Sequence, residues 1–162
     1  MDETGLGEGS IRTILAKLDG YGLINSSRSG RSLTLDGEKV KERLDKIIRI
    51  ADVGTLSITK APYNVAVKVK GGAEKVNTGM EQRDAAIKAG ARGAITITVR
   101  EGSIIIPGFG PDVDVREKYP DDAVKLIKIL EADDGDAIII GSEILRQKAD
   151  EAAWLGASTL LF

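Results

Sequence analysis

The sequence predicts an α+β fold in two parts, the second of which is a small layered α/β domain with a mixed sheet. Segments whose apolar residues recur at helical spacing alternate with short β-branched runs, and glycine-bearing turns separate them. With 162 residues, of which 42% are hydrophobic and 30% charged, the chain has enough apolar side chains for a core and enough charge for a hydrated surface.

The first predicted helix lies between Glu8 and Leu18. Its apolar residues follow the spacing i, i+3, i+4 and i+7, which places them in one stripe: Ile11, Ile14, Leu15 and Leu18. The polar residues of the same helix then face away from this stripe: Ser10, Arg12, Thr13 and Lys17.

A hairpin and a second helix are predicted next. Gly20 and Gly22 end the first helix, and short strands at 23–25 and 32–35 flank a polar turn at 26–31. From Gly20 to Leu35 there is no carboxylate, whereas Arg28 and Arg31 are present, a pattern suited to a surface that faces phosphate. Asp36 is the expected N-cap of a helix over 37–50.

The order helix, strand, basic hairpin, strand, helix resembles a winged helix from its recognition helix onward. The resemblance is carried by residues 8–15 and 18–24, EGSIRTIL and LDGYGLI. It implies double-stranded DNA as a partner, with Ser10, Arg12, Thr13 and Lys17 facing the major groove and Arg28 and Arg31 meeting phosphate or the minor groove. Arg12 is the expected base contact, since its guanidinium pairs well with a guanine edge. The alternative is ordinary core packing beside a serine-rich surface turn.

A complete winged helix has two further helices before its recognition helix, and seven residues precede Glu8 in this sequence. Residues 1–50 are therefore expected to form a partial winged-helix domain. The apolar stripe of its first helix is then expected to be shielded by the second domain or by another chain.

Residues 51–63 are predicted to form a linker or first strand, and 64–162 a putative ligand-binding or dimerisation domain. Strands are expected at 65–69, 94–100, 103–106 and 137–140, the last an unbroken apolar run typical of a strand covered on both faces. Thr78 is expected to open a helix through Ala89, and Pro120 another to about Glu131. Ser142 is expected to cap a last helix ending at Gly156, before a final strand at 159–162.

Loops that lead into helix N-termini are the expected ligand-binding places in the second domain, because free amide groups collect there. Two loops meet this condition, and they supply the following candidates: Gly72, Thr78, Gln82, Arg83, Asp84, Gly141 and Ser142. The alternative is a solvated helix face with an ordinary pair between Asp84 and Lys88.

The absence of two residue types from the sequence restricts the chemistry. The sequence has no cysteine and no histidine, which excludes disulfides, thiolate catalysis, histidine triads and metal sites built from these ligands. We assign no catalytic residue, metal or cofactor. No apolar run approaches the length of a membrane helix, so a cytoplasmic location with no membrane partner is expected. High charge with only three Asn and two Gln suits a thermophile.

The whole chain resembles an archaeal family of predicted transcriptional regulators with an N-terminal winged helix and a C-terminal domain of unknown function. Its most specific stretch is residues 81–91, EQRDAAIKAGA. The resemblance implies a DNA-binding regulator, expected to be a homodimer, whose C-terminal domain senses a small-molecule effector or dimerises. The alternatives are a small enzyme that acts through carboxylates and lysine, and a non-enzymatic assembly scaffold.

Overall fold

The computed structural model describes residues 8–108 and 110–161, which divide into two compact units between Lys46 and Ile47. The mixed α+β class expected from the sequence is confirmed. Within the described residues, no helix is long and apolar enough to cross a membrane.

The first unit is a helix, a β-hairpin and a second helix. Its elements are α1 (Glu8–Gly20), β1 (Ile24–Ser27), β2 (Gly30–Leu33) and α2 (Leu35–Ile47). The hairpin strands are antiparallel, with Ser27 opposite Gly30 at the turn. The order of the four elements agrees with the sequence prediction, although each strand is shifted by one or two residues.

The second helix of this unit begins and ends earlier than the sequence predicts. The side chain of Thr34, not that of Asp36, accepts a hydrogen bond from the Gly37 amide at 3.0 Å, and its hydroxyl donates to the Gly22 carbonyl at 2.7 Å. Thr34 therefore caps α2 and ties it to the end of α1. At the other end, the residues after Ile47 form a strand instead of continuing the helix to Ile50.

The second unit is a six-stranded sheet with helices on both faces. Its strands are β3 (Ile48–Asp52), β4 (Tyr63–Val69), β5 (Ala94–Arg100), β6 (Ser103–Ile106), β7 (Val113–Asp114) and β8 (Ala137–Glu143). Its α-helices are α3 (Met80–Lys88), α4 (Val115–Lys118), α5 (Pro120–Leu130) and α6 (Arg146–Ser158), and a short 3-10 helix spans Gly72–Lys75.

The strand order is β3-β4-β8-β5-β6-β7, and each neighbouring pair is antiparallel. The expected mixed sheet is therefore wrong in this detail. The apolar run at 137–140 indicates a strand that is buried on both faces. Here helices cover both faces of an antiparallel sheet, as they commonly do for a parallel one. Strand β8 lies at the centre, between β4 and β5.

Two apolar clusters lie on opposite faces of this sheet. Alternate residues of β8 divide between them, since Ile138 and Ile140 belong to one cluster and Ala137 and Ile139 to the other. The first cluster includes Leu126 and Leu130 of α5, and the second includes residues of α6: Ala149, Ala153 and Ala157. The small side chains of α6 allow it to lie close to the sheet.

Three predicted boundaries in the second unit are wrong. Gly79, at φ 73°, precedes α3, so Thr78 does not cap it. Ser142 lies inside β8, and α6 begins at Arg146. Helix α6 continues through Gly156 to Ser158, and residues 159–161 form a turn in place of the final strand; Phe162 lies outside the described residues.

Candidate functional site

The four polar candidates of α1, which are Ser10, Arg12, Thr13 and Lys17, are all exposed, as the amphipathic pattern predicts. Arg12 forms an ion pair with Glu8, one turn earlier in the helix: its Nη2 lies 3.2 Å from Glu8 Oε1. Both side chains are largely exposed, at 76% and 90%, so this ion pair is weak and exchanges readily with solvent. Thr13 donates from its hydroxyl to the Gly9 carbonyl at 2.9 Å.

The hairpin presents its two arginines on the surface. Arg28 lies in the turn and Arg31 in β2, and both are exposed. Neither forms an ion pair with any of the residues that the structure describes. The turn is held by Ser27, whose Oγ donates to the Gly30 carbonyl at 3.0 Å and lies 2.8 Å from Ser29 Oγ.

Backbone hydrogen bonds join α1 directly to the hairpin. The Leu23 amide donates to the Leu18 carbonyl at 2.9 Å, and the Thr34 amide donates to the Leu23 carbonyl at 3.0 Å. All six DNA-contact candidates thus belong to one continuous helix-and-hairpin structure. Its surface combines a helix with polar side chains and a hairpin that carries only positive charge.

The apolar stripe of α1 is not fully covered. No residue of this helix is buried, and the Ile14 side chain is 46% exposed. Large apolar residues of β2 and α2 are also exposed, among them Leu33, Leu35, Val40 and Leu44. The only buried residues described in the first unit are Ile24 and Gly37.

Three of the ligand-binding candidates in the second unit have packing roles. A Cβ at Gly141 would lie 2.1 Å from the Ala149 carbonyl oxygen, so the glycine permits close contact between β8 and α6. A Cβ at Gly72 would lie 3.0 Å from that of Ala137. Gln82 is buried, and its amide donates to Thr159 Oγ1 at 2.8 Å.

Two other candidates, Arg83 and Ser142, line one recess of about 250 Å³ together with Arg92. The recess is shallow, and Arg83 already pairs with Asp84 at 3.0 Å, while Arg92 is 3.9 Å from Glu143. The Ser142 hydroxyl is buried without a hydrogen-bond partner in the described chain. Thr78 does not line this recess. The structure therefore places two of the seven candidates in this recess.

The ordinary pair expected between Asp84 and Lys88 does not form. Asp84 and Lys88 both lie on the exposed surface of α3, and Asp84 pairs with the adjacent Arg83 instead. Neither side chain therefore lies in a buried cleft of the kind in which catalytic acids and bases are commonly found. In the described ranges no cluster of three or more acidic groups is arranged to hold a metal ion.

A larger cleft of about 420 Å³ was not predicted from the sequence. It lies between α5, α4 and β6, and its lining is mainly apolar: Ile104, Pro120, Ala123, Val124 and Ile127. Two basic residues, Arg116 and Lys128, complete it. The sequence signal that could have revealed this cleft is a stripe of residues at helical spacing on α5: Pro120, Ala123, Val124, Ile127 and Lys128.

Comparison with known proteins gives a family and a fold relative. Residues 60–160 match the family described as a domain of unknown function, DUF4443. The structure is similar to that of a hypothetical protein from Pyrococcus horikoshii OT3, with a TM-score of 0.73 and 33% sequence identity over 96% of this chain and 78% of the relative. No curated protein matches the sequence.

Proposed function

The chain belongs to the DUF4443 family, and we propose that it is a DNA-binding transcriptional regulator. The helix α1 and the hairpin β1–β2 contact duplex DNA. The second unit serves as the sensing or dimerisation module. The observation that carries this proposal is the exposed surface of the first unit, where four polar side chains of one helix adjoin a hairpin with two arginines and no carboxylate.

The two parts of this surface have different roles. Arg28 and Arg31 attract the phosphate backbone, a contact that positions the protein without reading sequence. On α1, Arg12 provides a fork of donors for a guanine edge. Before it contacts a base, Arg12 must break its ion pair with Glu8. This costs little free energy, because both side chains are exposed and such pairs are weak.

Fluorescence anisotropy with a labelled DNA duplex of mixed sequence tests the proposal. Arg28→Ala and Arg31→Ala should each weaken binding on every sequence and lower the slope of log affinity against log salt by about one. Arg12→Ala should weaken binding and also reduce discrimination between sites selected from a random library. Unchanged binding in both Arg12→Ala and Arg28→Ala would overturn the assigned surface.

Two further variants sharpen this experiment. Glu8→Gln removes the charge that competes with phosphate and releases Arg12, so we expect tighter binding, by about two- to fivefold. Arg43→Ala, an exposed arginine on α2 outside the assigned surface, is the matched control. If Arg43→Ala lowered the DNA affinity as much as Arg28→Ala does, net charge would determine binding and this surface would not.

We also propose that the regulator acts as a homodimer, because winged-helix proteins commonly read two half-sites about one DNA turn, ~34 Å, apart. The exposed apolar residues of the first unit are consistent with a surface that another chain covers. Light scattering across a concentration series tests this: a mass of one chain at all concentrations, with or without DNA, would contradict it.

A further inference from the structure

The cleft between α5, α4 and β6 combines an apolar interior with positive charge at its edge. Ile104 and Ala123 are each 1% exposed and form its buried part, while Val124, at 69% exposed, is open to solvent. A volume of about 420 Å³ lies within the range, roughly 300–1,000 Å³, of pockets that hold small molecules.

The two cations of the cleft are not paired with the nearby carboxylates Asp114 and Glu131. Asp114 caps α4 and accepts from the amides of Arg116 and Glu117 at 2.8 and 3.3 Å. Near Lys128, the carboxylate of Glu131 lies 2.8 Å from the Arg49 guanidinium. Across the described ranges, neither Arg116 nor Lys128 forms an ion pair.

The buried carboxylate of α5 is also occupied. Asp122 Oδ2 accepts a hydrogen bond from the Ile58 amide at 2.7 Å, on the side of the helix away from the cleft lining. The cleft therefore presents apolar contact area and positive charge, and no carboxylate in its lining neutralises that charge. A ligand that matches both properties has an apolar body and one anionic group.

We propose that this cleft is a binding site for a small amphipathic carboxylate, with the apolar body against Ile104, Ala123 and Ile127 and the carboxylate beside Arg116 and Lys128. The apolar body supplies affinity through burial, and the two cations select an anion over a neutral or cationic analogue. The site belongs to the second unit alone, so its test does not depend on DNA binding.

Methyl NMR on the full chain, with octanoate, octanol and octylammonium as probes, tests the proposal. Octanoate should shift the methyl signals of Ile104, Val124 and Ile127 in a saturable way. It should bind more tightly than octanol, and octylammonium should bind weakest. Because the cations are exposed, the preference for octanoate should shrink as salt increases. Equal binding of all three probes, or shifts scattered over the surface, would overturn the proposal.

Charge variants give the second arm of this test. Arg116→Gln and Lys128→Gln should each weaken octanoate binding about three- to fivefold and affect octanol binding much less. Lys118→Gln is the matched control on α4, since Lys118 does not line the cleft and instead lies 5.9 Å from the Tyr119 ring centroid. An equal loss in the control would attribute the preference to net charge and contradict the site.

A rim variant separates a ligand site from a surface that pairs with protein. Val124→Glu places a carboxylate at the exposed rim, where the fold tolerates it, and should abolish octanoate binding. If the same methyl signals instead move with protein concentration in the absence of any probe, a second copy of the chain covers the cleft, and the small-molecule assignment is wrong.

Discussion

Gly141 illustrates how one residue determines the distance between a strand and a helix. A Cβ there would lie 2.1 Å from the Ala149 carbonyl oxygen and 2.6 Å from the Ala153 amide nitrogen, both backbone atoms of α6. Backbone cannot rotate away as a side chain can, so α6 would have to move.

We therefore expect Gly141→Ala to lower the free energy of unfolding by about 2 kcal/mol or more, as overpacking a core does. Chemical denaturation followed by circular dichroism measures this. Gly108→Ala is the control, because its Cβ would meet nothing nearer than the Gly110 amide nitrogen at 3.8 Å. Equal stability of the two variants would mean that β8 and α6 are not packed this closely.

Asp150 on α6 provides a pH-dependent prediction. Although Asp150 is exposed overall, partial burial of its carboxyl raises the pKa above the ordinary value; Arg146 opposes this, and the negative charge of Asp52 adds to it. A raised pKa means that the folded state binds the proton more tightly than the unfolded chain does. The ionised carboxylate therefore costs stability once the pH rises above its folded pKa.

Asp150→Asn should consequently raise the melting temperature at pH 7, and the gain should disappear toward pH 3, where the wild-type carboxyl is protonated. Thermal melts at a series of pH values check this. Glu101→Gln, an exposed residue in the turn between β5 and β6, controls for the change in net charge. A gain that stays constant with pH would contradict the assigned cause.

At the scale of single residues, sequence reasoning identified exposure better than contacts. The polar positions of α1 follow from helical periodicity alone, and all are exposed. The pairing of Arg83 with Asp84, and the packing of Gly141 against α6, depend on neighbours distant in sequence or on rotamers. No local pattern carries that information.

Among the elements, α2 depends on a cap that lies outside its own sequence. Thr34 accepts from the Gly37 amide and donates to the Gly22 carbonyl, so one hydroxyl serves both the helix and the turn after α1. Removing it leaves a helix amide without its acceptor and frees the turn.

Thr34→Ala should destabilise the start of α2 by about 1 kcal/mol and accelerate hydrogen exchange of the Gly37 amide about fivefold. Thr34→Ser, which keeps the hydroxyl, should exchange nearly as slowly as the wild type. If the Gly37 amide exchanged equally fast in both variants, Thr34 would not be the cap.

Element types were predicted well and element ends poorly. Helical spacing predicted α1, start signals such as Pro120 predicted α3 and α5, and short apolar runs between turns predicted β4, β5, β6 and β8. A first strand was expected within 51–63, and β3 begins earlier, at Ile48, because Ile47 and Ile48 extend the helical apolar pattern of α2 beyond its end. The direction of strand pairing was also missed, since burial on both faces is compatible with either direction.

For the whole molecule, the two units differ sharply in buried area. Both apolar clusters lie within residues 47–161, whereas Ile24 is the only buried apolar residue described in the first unit. A unit with so little buried apolar surface lacks the main driving force for independent folding.

A fragment of residues 47–162 should therefore fold alone and unfold cooperatively, while a fragment of residues 1–46 should be largely unstructured. Circular dichroism and thermal melts of both fragments decide this. Should residues 1–46 melt cooperatively by themselves, the helix-and-hairpin structure would have a source of stability that its burial does not explain.

The central position of β8 affects how the protein is made. It is the last strand of the described chain in sequence, yet it lies between β4 and β5. A ribosome therefore releases β3 and β4, and then β5 to β7, before the strand that joins them exists. During that interval the nascent chain carries open strand edges, which can pair with other nascent chains. Demand for chaperones should be greatest just before residues 137–143 emerge.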